Sequence, residues 1–349
     1  MHRRKGFSLV ELLVVMVIIA LLMGLLFPAI QAARESARKT ACRNNLYQIA
    51  KAILNYEASR TRFPASWQPP VGYSVGDSGV DGWSTQALLL PYLEQKATFS
   101  EIDFNVSYTQ AGTVIPAGAT EPVRIASLRV PTYLCPSEVR DEARFDTATG
   151  DAIHYPLNYA VNLGVWFVWN PKTGKGGDGA FYPNSKLTAG DFLDGQSYTI
   201  ALAEVKGWTP YFRNAGLPAT TLDDAVPTAP SALCGWAGDF KADSGHTEWI
   251  DGRAHQIGFT TVFLPNSKVL CENPGTSTGI FDVDWNNQQE GKSGTVPTFA
   301  AVTARSYHDG MVNVAMMDGS VRPVENDINI GVWRALSTRR GQEILPSEF

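Results

Sequence analysis

The chain has 349 residues and a formal net charge of −5, with 44% hydrophobic and 18% charged residues. This length is enough for one large core or two smaller ones. The acidic balance argues against nucleic acid as the main partner, because a nucleic-acid surface needs an excess of Lys and Arg.

The first predicted element is an apolar helix over residues 7–30, preceded by the basic residues Arg3, Arg4 and Lys5. At about 1.5 Å per residue it is long enough for a hydrocarbon core of about 30 Å. The positive-inside rule then predicts a cytoplasmic N-terminus and an exported remainder. Glu11 lies inside the apolar run, and a carboxylate at bilayer depth indicates a functional role because its burial there costs several kcal/mol.

Two simpler interpretations compete with a processed membrane helix. A secretory signal peptide would have a shorter apolar core followed by a small-residue cleavage site, whereas here helical sequence continues to about Ala58. A plain single-pass anchor explains the length of the run but neither Glu11 nor the junction between Gly6 and Phe7.

Residues 31–60 predict an amphipathic continuation of the same helix, with Pro28 expected to kink it. One face carries an apolar stripe at helical spacing, formed by Leu46, Ile49, Ala50, Ile53 and Leu54. The opposite side is charged and is expected to face solvent or another subunit; it consists of Arg34, Glu35, Arg38 and Lys39.

Beyond residue 61 the pattern changes to short elements separated by turns, and Gly and Pro together account for 52 residues. We predict a short helix over 85–95 and strands over 130–135, 198–205 and 260–264. Alternating Val312, Val314 and Met316 followed by Asp318-Gly319 predict a hairpin, since Asp-Gly between alternating apolar residues is a strong hairpin signal.

Four cysteines are present, Cys42, Cys135, Cys234 and Cys271, and none forms a C-x-x-C pair. An even number in an exported chain indicates disulfides. We prefer the pairs Cys42–Cys135 and Cys234–Cys271, but four cysteines allow three pairings and the sequence does not choose among them. Four buried free thiols are the alternative.

The leader resembles that of type IV prepilins and of type II secretion pseudopilins, which carry Gly-Phe followed by a glutamate at the position of Glu11. The resemblance implies that a prepilin peptidase/methyltransferase cleaves after Gly6 and methylates Phe7. It also implies that Glu11 pairs with the Phe7 amino group of a neighbouring pilin-like subunit. Loss of the three leader cations takes the formal charge from −5 to −8.

A second resemblance lies near the C-terminus, where His308 is followed after nine residues by Asp318-Gly319. This pattern is similar to that of a large bacterial family of prepilin-like exported proteins of unknown function. Segments around Cys42, around Cys135 and over 263–266 resemble the same family. Asp309, Met311 and Pro323 depart from its usual pattern and affect only local turn geometry.

The chemistry-bearing residues admit structural and functional interpretations. For His308 and Asp318 we favour hydrogen bonding within turns over a catalytic pair. Asp282, Asp284 and Asn286 alternate oxygen ligands in a way that suits calcium, with Glu290 closing the shell, and a solvated acidic loop is the alternative.

The middle of the chain carries five tryptophans that fit either the core or an exposed sugar-binding or adhesive platform: Trp166, Trp169, Trp208, Trp236 and Trp249. We favour the core. No nucleophile elbow, His-Glu-x-x-His motif or phosphate loop is present, so we expect no enzymatic activity and, calcium apart, no cofactor.

We therefore predict an α+β, pilin-like fold in which a long N-terminal transmembrane helix packs on an antiparallel sheet with long loop insertions. The expected segments are a cytoplasmic leader (1–6), a transmembrane helix (7–30), its amphipathic continuation (31–60) and an exported head (61–349). The expected function is a structural subunit of a pilus-like or pseudopilus-like filament in the inner membrane and, after assembly, in the periplasm or at the cell surface. The alternative is a membrane-anchored binding module for polysaccharide or protein.

Overall fold

The longest element is a helix, α1, which spans Leu9–Arg60 and continues through Pro28 without a break. It belongs to a computed structural model that describes residues 9–74, 77–116, 121–216, 225–236, 238–272 and 279–343. A helix of 52 residues is about 78 Å long, more than twice what a bilayer requires.

The two halves of α1 have different surroundings. Every side chain from Leu9 to Arg34 is exposed, whereas burial begins in the turn that contains Glu35. The predicted stripe is confirmed, because Leu46, Ile49, Ala50 and Ile53 are buried and Leu54 packs against the core. The distal half of α1 is therefore part of the core of the head, while the proximal half projects from it.

Within the described residues, the head contains two five-stranded sheets. Sheet I lies against α1, and its strands in spatial order are Gly258–Phe259, Tyr159–Asn162, Ile200–Glu204, Met311–Met316 and Val321–Glu325. Sheet II follows in the order Asp239–Lys241, Tyr211–Arg213, Asp284–Asn286, Thr298–Ala301 and Phe167–Trp169. Each sheet has one parallel pair and is otherwise antiparallel. This α+β arrangement is the one predicted.

Short elements fill the connections between the sheets. Two-stranded ribbons pair Trp67–Gln68 with Trp83–Ser84, Thr113–Val114 with Val123–Arg124, Arg144–Phe145 with Ala152–His154, and Leu270–Glu272 with Ile280–Asp282. Short helices span Thr85–Leu89, Lys96–Ser100, Pro230–Cys234, Ala254–Ile257 and Ile330–Ala335. Single 3₁₀ turns occupy Leu90–Tyr92, Tyr108–Gln110, Ile125–Ser127, Pro131–Tyr133 and Ala189–Asp191.

Side-chain caps and prolines explain several of these ends. The Ser84 hydroxyl accepts a hydrogen bond from the Ala87 N–H and begins the helix Thr85–Leu89. The predicted helix over 85–95 shortens because Pro91 lies in the 3₁₀ turn that follows. Asn329 caps the last helix by accepting from two backbone N–H groups.

The strand predictions had mixed outcomes. The strand over 198–205 is confirmed as Ile200–Glu204, and the hairpin as Met311–Met316 with Val321–Glu325. The strand over 130–135 is wrong, because Pro131 begins a 3₁₀ turn there. The strand over 260–264 is also wrong, since the strand ends at Phe259 and only an isolated bridge joins Thr260 to Thr303.

The hairpin turn is pressed against α1. Gly319 has φ +88°, in the left-handed region, and a Cβ added there would lie 3.1 Å from Cδ1 of Leu54. Gly310, at the other end of the strand Met311–Met316, has φ +77° and open space around the same position. Both glycines have a left-handed backbone conformation, but only Gly319 lies close to the helix.

We expect Gly319→Ala to lower the free energy of unfolding by more than Gly310→Ala does. Both variants carry the left-handed backbone cost of roughly 1–2 kcal/mol, but only the first also pushes a methyl group against Leu54. Urea unfolding of the full chain in detergent, followed by tryptophan fluorescence, measures the difference. Equal losses would show that the turn does not press on α1.

Candidate functional site

The proximal half of α1 carries the predicted assembly residue. Among the described residues, α1 is the one helix long and apolar enough to cross a membrane. Glu11 lies in its first turn, and the side chains of this stretch do not pack against the head. Gly6 and Phe7 lie outside the described residues, so cleavage, methylation and the role of Glu11 stay predictions.

The distal half of α1 is bonded covalently to the head. Cys42 of α1 forms a disulfide with Cys135, 93 residues away in sequence, with Cα atoms 4.9 Å apart. Asn45, one turn further along α1, donates a hydrogen bond of 2.8 Å to the Leu134 carbonyl. A disulfide that closes so long a loop stabilises the folded state by about 4 kcal/mol, because it reduces the conformational entropy of the unfolded chain. It fixes which turn of α1 meets the head.

The second disulfide joins Cys234 to Cys271, with a Cα–Cα distance of 5.2 Å. It connects the helix Pro230–Cys234 to the ribbon strand Leu270–Glu272. Both preferred pairings are therefore present, and the alternative of four free thiols is wrong for this structure.

His308 lies beside the first disulfide. The prediction that it hydrogen-bonds within a turn holds for its backbone N–H, which donates to the Ser306 hydroxyl at 3.1 Å, but not for its ring, which contacts α1. Its Nδ1 is 2.8 Å from Oε1 of Glu35, and its side chain is almost completely buried. Its Nε2 is 3.9 Å from Sγ of Cys135 and 3.7 Å from Oε1 of Glu204. The signature histidine thus belongs to the attachment of α1, which the local turn signals did not indicate.

Glu35 is also not simply part of a solvated face. Burial by itself raises the pKa of its carboxyl, but hydrogen bonds from His308 and Arg38 outweigh that effect and hold the pKa below its usual value. Because an ionised carboxylate only accepts, Nδ1 of His308 carries the proton in this bond.

Glu204 is a buried member of the same group, and the sequence analysis did not identify it. It ends the strand Ile200–Glu204 and is 2% exposed. Its carboxylate accepts hydrogen bonds from the Ser306 hydroxyl (2.7 Å), the Asn313 N–H (2.8 Å) and the Asn313 side-chain amide (3.0 Å). These bonds offset the desolvation of a buried charge.

Asp318 forms the predicted Asp-Gly turn, with Oδ1 accepting from the Ser320 N–H and hydroxyl at 2.8 and 2.7 Å. It lies at the opposite end of the strand Met311–Met316 from His308. The two signature residues therefore do not form a catalytic pair; each contacts or supports a different position along α1.

The calcium candidates have a different partner. The Arg305 guanidinium bonds to both Asp282, at 3.1 Å, and Asp284. The Asn286 side chain donates to the Gln288 carbonyl at 3.1 Å. A calcium ion would have to displace the guanidinium, so this arrangement gives the calcium prediction no support.

Glu290, the proposed closing ligand, also lies elsewhere in the packing. Its carboxylate accepts from the Ala254 N–H at 3.2 Å, and its side chain is buried. Within the described residues, no hydrogen bond joins Glu290 to Asp282, so the two do not form one metal shell.

The five tryptophans are engaged in packing. Trp166, Trp169 and Trp249 are buried, as the core interpretation predicts. Trp236 is partly exposed and packs edge-on against Trp285, while Trp208 donates a hydrogen bond to Arg140 and lies under its guanidinium.

The comparisons with known proteins agree with this arrangement. A family model described as "Protein of unknown function (DUF1559)" matches residues 31–331. The chain belongs to this family. A second model, the "Prokaryotic N-terminal methylation motif", matches residues 1–27. Neither the curated proteins nor the solved structures gave a match. This DUF1559 chain is therefore prepilin-like, with a methylation motif at the start of its apolar helix.

We expect Glu290 to contribute less stability to this DUF1559 protein as the pH rises from about 4.5 to about 7, whereas buried His154, His246 and His255, whose pKa values burial lowers, act in the opposite direction. Burial raises the pKa of Glu290 from 4.5 to about 7, so between these values the folded state binds more protons than the unfolded state and the free energy of unfolding falls with pH. The loss is on the order of 3 kcal/mol. Urea unfolding at several pH values should show that the difference in the free energy of unfolding between wild type and Glu290→Gln shifts in favour of the variant as the pH rises through this range. Glu325→Gln, at an exposed position of the hairpin, is the control and should keep the wild-type slope.

Proposed function

We propose that this protein is a structural subunit of a type IV pilus-like or type II secretion pseudopilus-like filament. The observation that carries the proposal is α1: a single continuous helix whose proximal half is apolar and unpacked and whose distal half forms part of the core of the head. The methylation motif over residues 1–27 supports it. In this proposal the segments 1–6, 7–30, 31–60 and 61–349 act as leader, transmembrane helix, its continuation and exported head.

Processing follows from the motif. A prepilin peptidase cleaves between Gly6 and Phe7 and methylates the new amino group of Phe7, and the subunit waits in the inner membrane with its head on the far side. The proximal half of α1 then moves from lipid into the filament, where it packs against the same segment of neighbouring subunits. The apolar surface of this segment is kept from water both in lipid and in the filament, so the transfer needs no refolding of the head.

Glu11 provides the specificity of this transfer. A carboxylate and a charged amino group are each costly in lipid and far less costly as a pair. Pairing Glu11 of one subunit with Phe7 of the next therefore favours the assembled state and sets the offset between neighbouring helices.

The alternative, an anchored binding module, has less support. It needs the tryptophans of the middle region as an exposed platform, and Trp166, Trp169 and Trp249 are buried. Trp208 and Trp236 are partly exposed, but each packs against a neighbouring side chain within the head. We infer that the role is that of a structural subunit rather than that of a binding module.

Mass spectrometry of the N-terminal peptide tests the processing. Protein isolated from its native membrane should begin at N-methylated Phe7. Gly6→Val, which places a branched side chain beside the cleaved bond, should leave the leader attached. Wild-type chains that begin at unprocessed Met1 would contradict the proposal and leave a plain membrane anchor.

Glu11→Ala tests the assembly contact. We expect at least a tenfold loss of filaments, counted by electron microscopy, while the amount of protein in the membrane stays the same. Glu57→Ala removes a glutamate from the distal half of the same helix and is the matched control; its filament yield should equal that of the wild type. Normal filaments with the Glu11 variant would refute the pairing.

A further inference from the structure

Four metal-binding side chains from distant parts of the chain meet where α1 joins the head. The Sγ atoms of Cys42 and Cys135, a carboxylate oxygen of Glu204 and a ring nitrogen of His308 all lie within 4.8 Å of one another, and all four residues are buried. Two sulfurs, one imidazole nitrogen and one carboxylate oxygen are ligands that Zn²⁺ takes in tetrahedral sites.

His308 has the orientation of a metal ligand. Its Nδ1 donates to the Glu35 carboxylate at 2.8 Å, which leaves the lone pair of Nε2 facing the disulfide and Glu204. A carboxylate on the far nitrogen is the usual outer partner of a zinc-bound histidine, because it fixes the tautomer and the ring orientation.

Glu204 is equally preorganised. Three hydrogen bonds, from Ser306 and from the backbone and side chain of Asn313, hold its carboxylate beside Nε2 of His308. One oxygen of the carboxylate, Oε1, faces that nitrogen at 3.7 Å. With a neutral ring, a cation between Nε2 and Oε1 would accept a lone pair from each.

The spacing also fits. With bonds of about 2.3 Å to sulfur and about 2.0–2.1 Å to nitrogen, neighbouring ligand atoms of a tetrahedral zinc are about 3.3–3.8 Å apart. Nε2 of His308 is already 3.7 Å from Glu204 and 3.9 Å from Cys135. The second of these distances is slightly longer than the tetrahedral range, and the two sulfurs are too close because they are bonded to each other.

We propose that the chain with Cys42 and Cys135 reduced binds one Zn²⁺ through these two cysteines, Glu204 and His308. A dithiol reductant breaks the S–S bond by giving two electrons and two protons and becomes a disulfide itself. Zinc then displaces the two thiol protons to solvent and remains Zn²⁺. Because Cys42 belongs to α1 and the other ligands to the head, the disulfide and the zinc are alternative links across one junction.

The second disulfide is a natural contrast within the same chain. Cys234 and Cys271 are joined in the same way, but in the part of the chain that the structure describes no His, Asp or Glu group completes a four-ligand set around them. Reduction there yields two thiols without the nitrogen and oxygen ligands.

The experiment uses the full chain in detergent, freed of metal by a chelator and reduced with a phosphine, which takes its oxygen from water as it is oxidised. Zn²⁺ is titrated in competition with a chromogenic chelator, and Co²⁺ is added separately as a spectroscopic probe. We expect one equivalent of zinc in the reduced chain and none in the oxidised chain. Cobalt should give tetrahedral d–d bands and a sulfur-to-cobalt charge-transfer band.

Variants separate the site from simple thiol binding. His308→Gln and Glu204→Gln should weaken zinc binding by at least about 100-fold and alter the cobalt spectrum, and Glu35→Gln, which changes only the orienting partner, by about 10- to 100-fold. The folding of each is checked first in the oxidised state, where the disulfide is intact. The double variant Cys234→Ser, Cys271→Ser is the control and should bind as the wild type does.

Three results would overturn the proposal. The first is that the reduced chain binds no zinc or loses its fold. The second is an unchanged affinity and cobalt spectrum in His308→Gln and Glu204→Gln, which would assign binding to the thiols alone. The third is loss of binding in the Cys234 and Cys271 double variant.

Discussion

The attachment of α1 to sheet I is the contact on which the rest of the structure depends. It consists of the buried stripe of α1, the disulfide from Cys42 to Cys135, the bond between His308 and Glu35, and the turn at Gly319. Glu35 and Leu54 mark its ends and are about 29 Å apart along the helix axis. A long contact with a covalent bond inside it keeps the proximal half of α1 at a constant orientation to the head.

This arrangement gives the His-x₉-Asp-Gly signature a structural meaning. His308 and Gly319 flank the strand Met311–Met316, which crosses sheet I next to α1, and they reach the helix near Glu35 and Leu54. Six of the nine intervening residues form this strand, which covers about 20 Å in extended form at about 3.3 Å per residue, and the others form the turns at its two ends. The strand therefore separates the two contacts with the helix, and the two signature residues have separate tasks.

Buried charges in the head follow the rule that an ion taken out of water needs partners of its own. Glu204 receives three hydrogen bonds, and Arg305 lies between Asp282 and Asp284. Glu290 has only weak backbone donation, and burial raises its pKa to about 7. The junction is the place where a buried carboxylate, an imidazole and two sulfurs coincide, and this is why redox state and metal binding become linked there.

Local and linear features of this protein were readable from the sequence alone. The apolar run with Glu11, the stripe from Leu46 to Ile53 and the Asp318-Gly319 hairpin each depend on residues close together in the chain, where helix and strand periodicity act directly. The two disulfides followed from counting cysteines, although their pairing was a choice among three.

Only the tertiary structure decided the partners of His308, Asp282 and Trp208. Glu35 and His308 are separated by 273 residues, and no periodicity relates them. The sequence shows that an acidic residue or a histidine is present, but a partner brought from another strand or helix determines whether it binds a metal, a guanidinium or another carboxylate. Such long-range pairs depend on how sheet I packs against α1, and side-chain packing of that kind leaves no signature in either segment by itself.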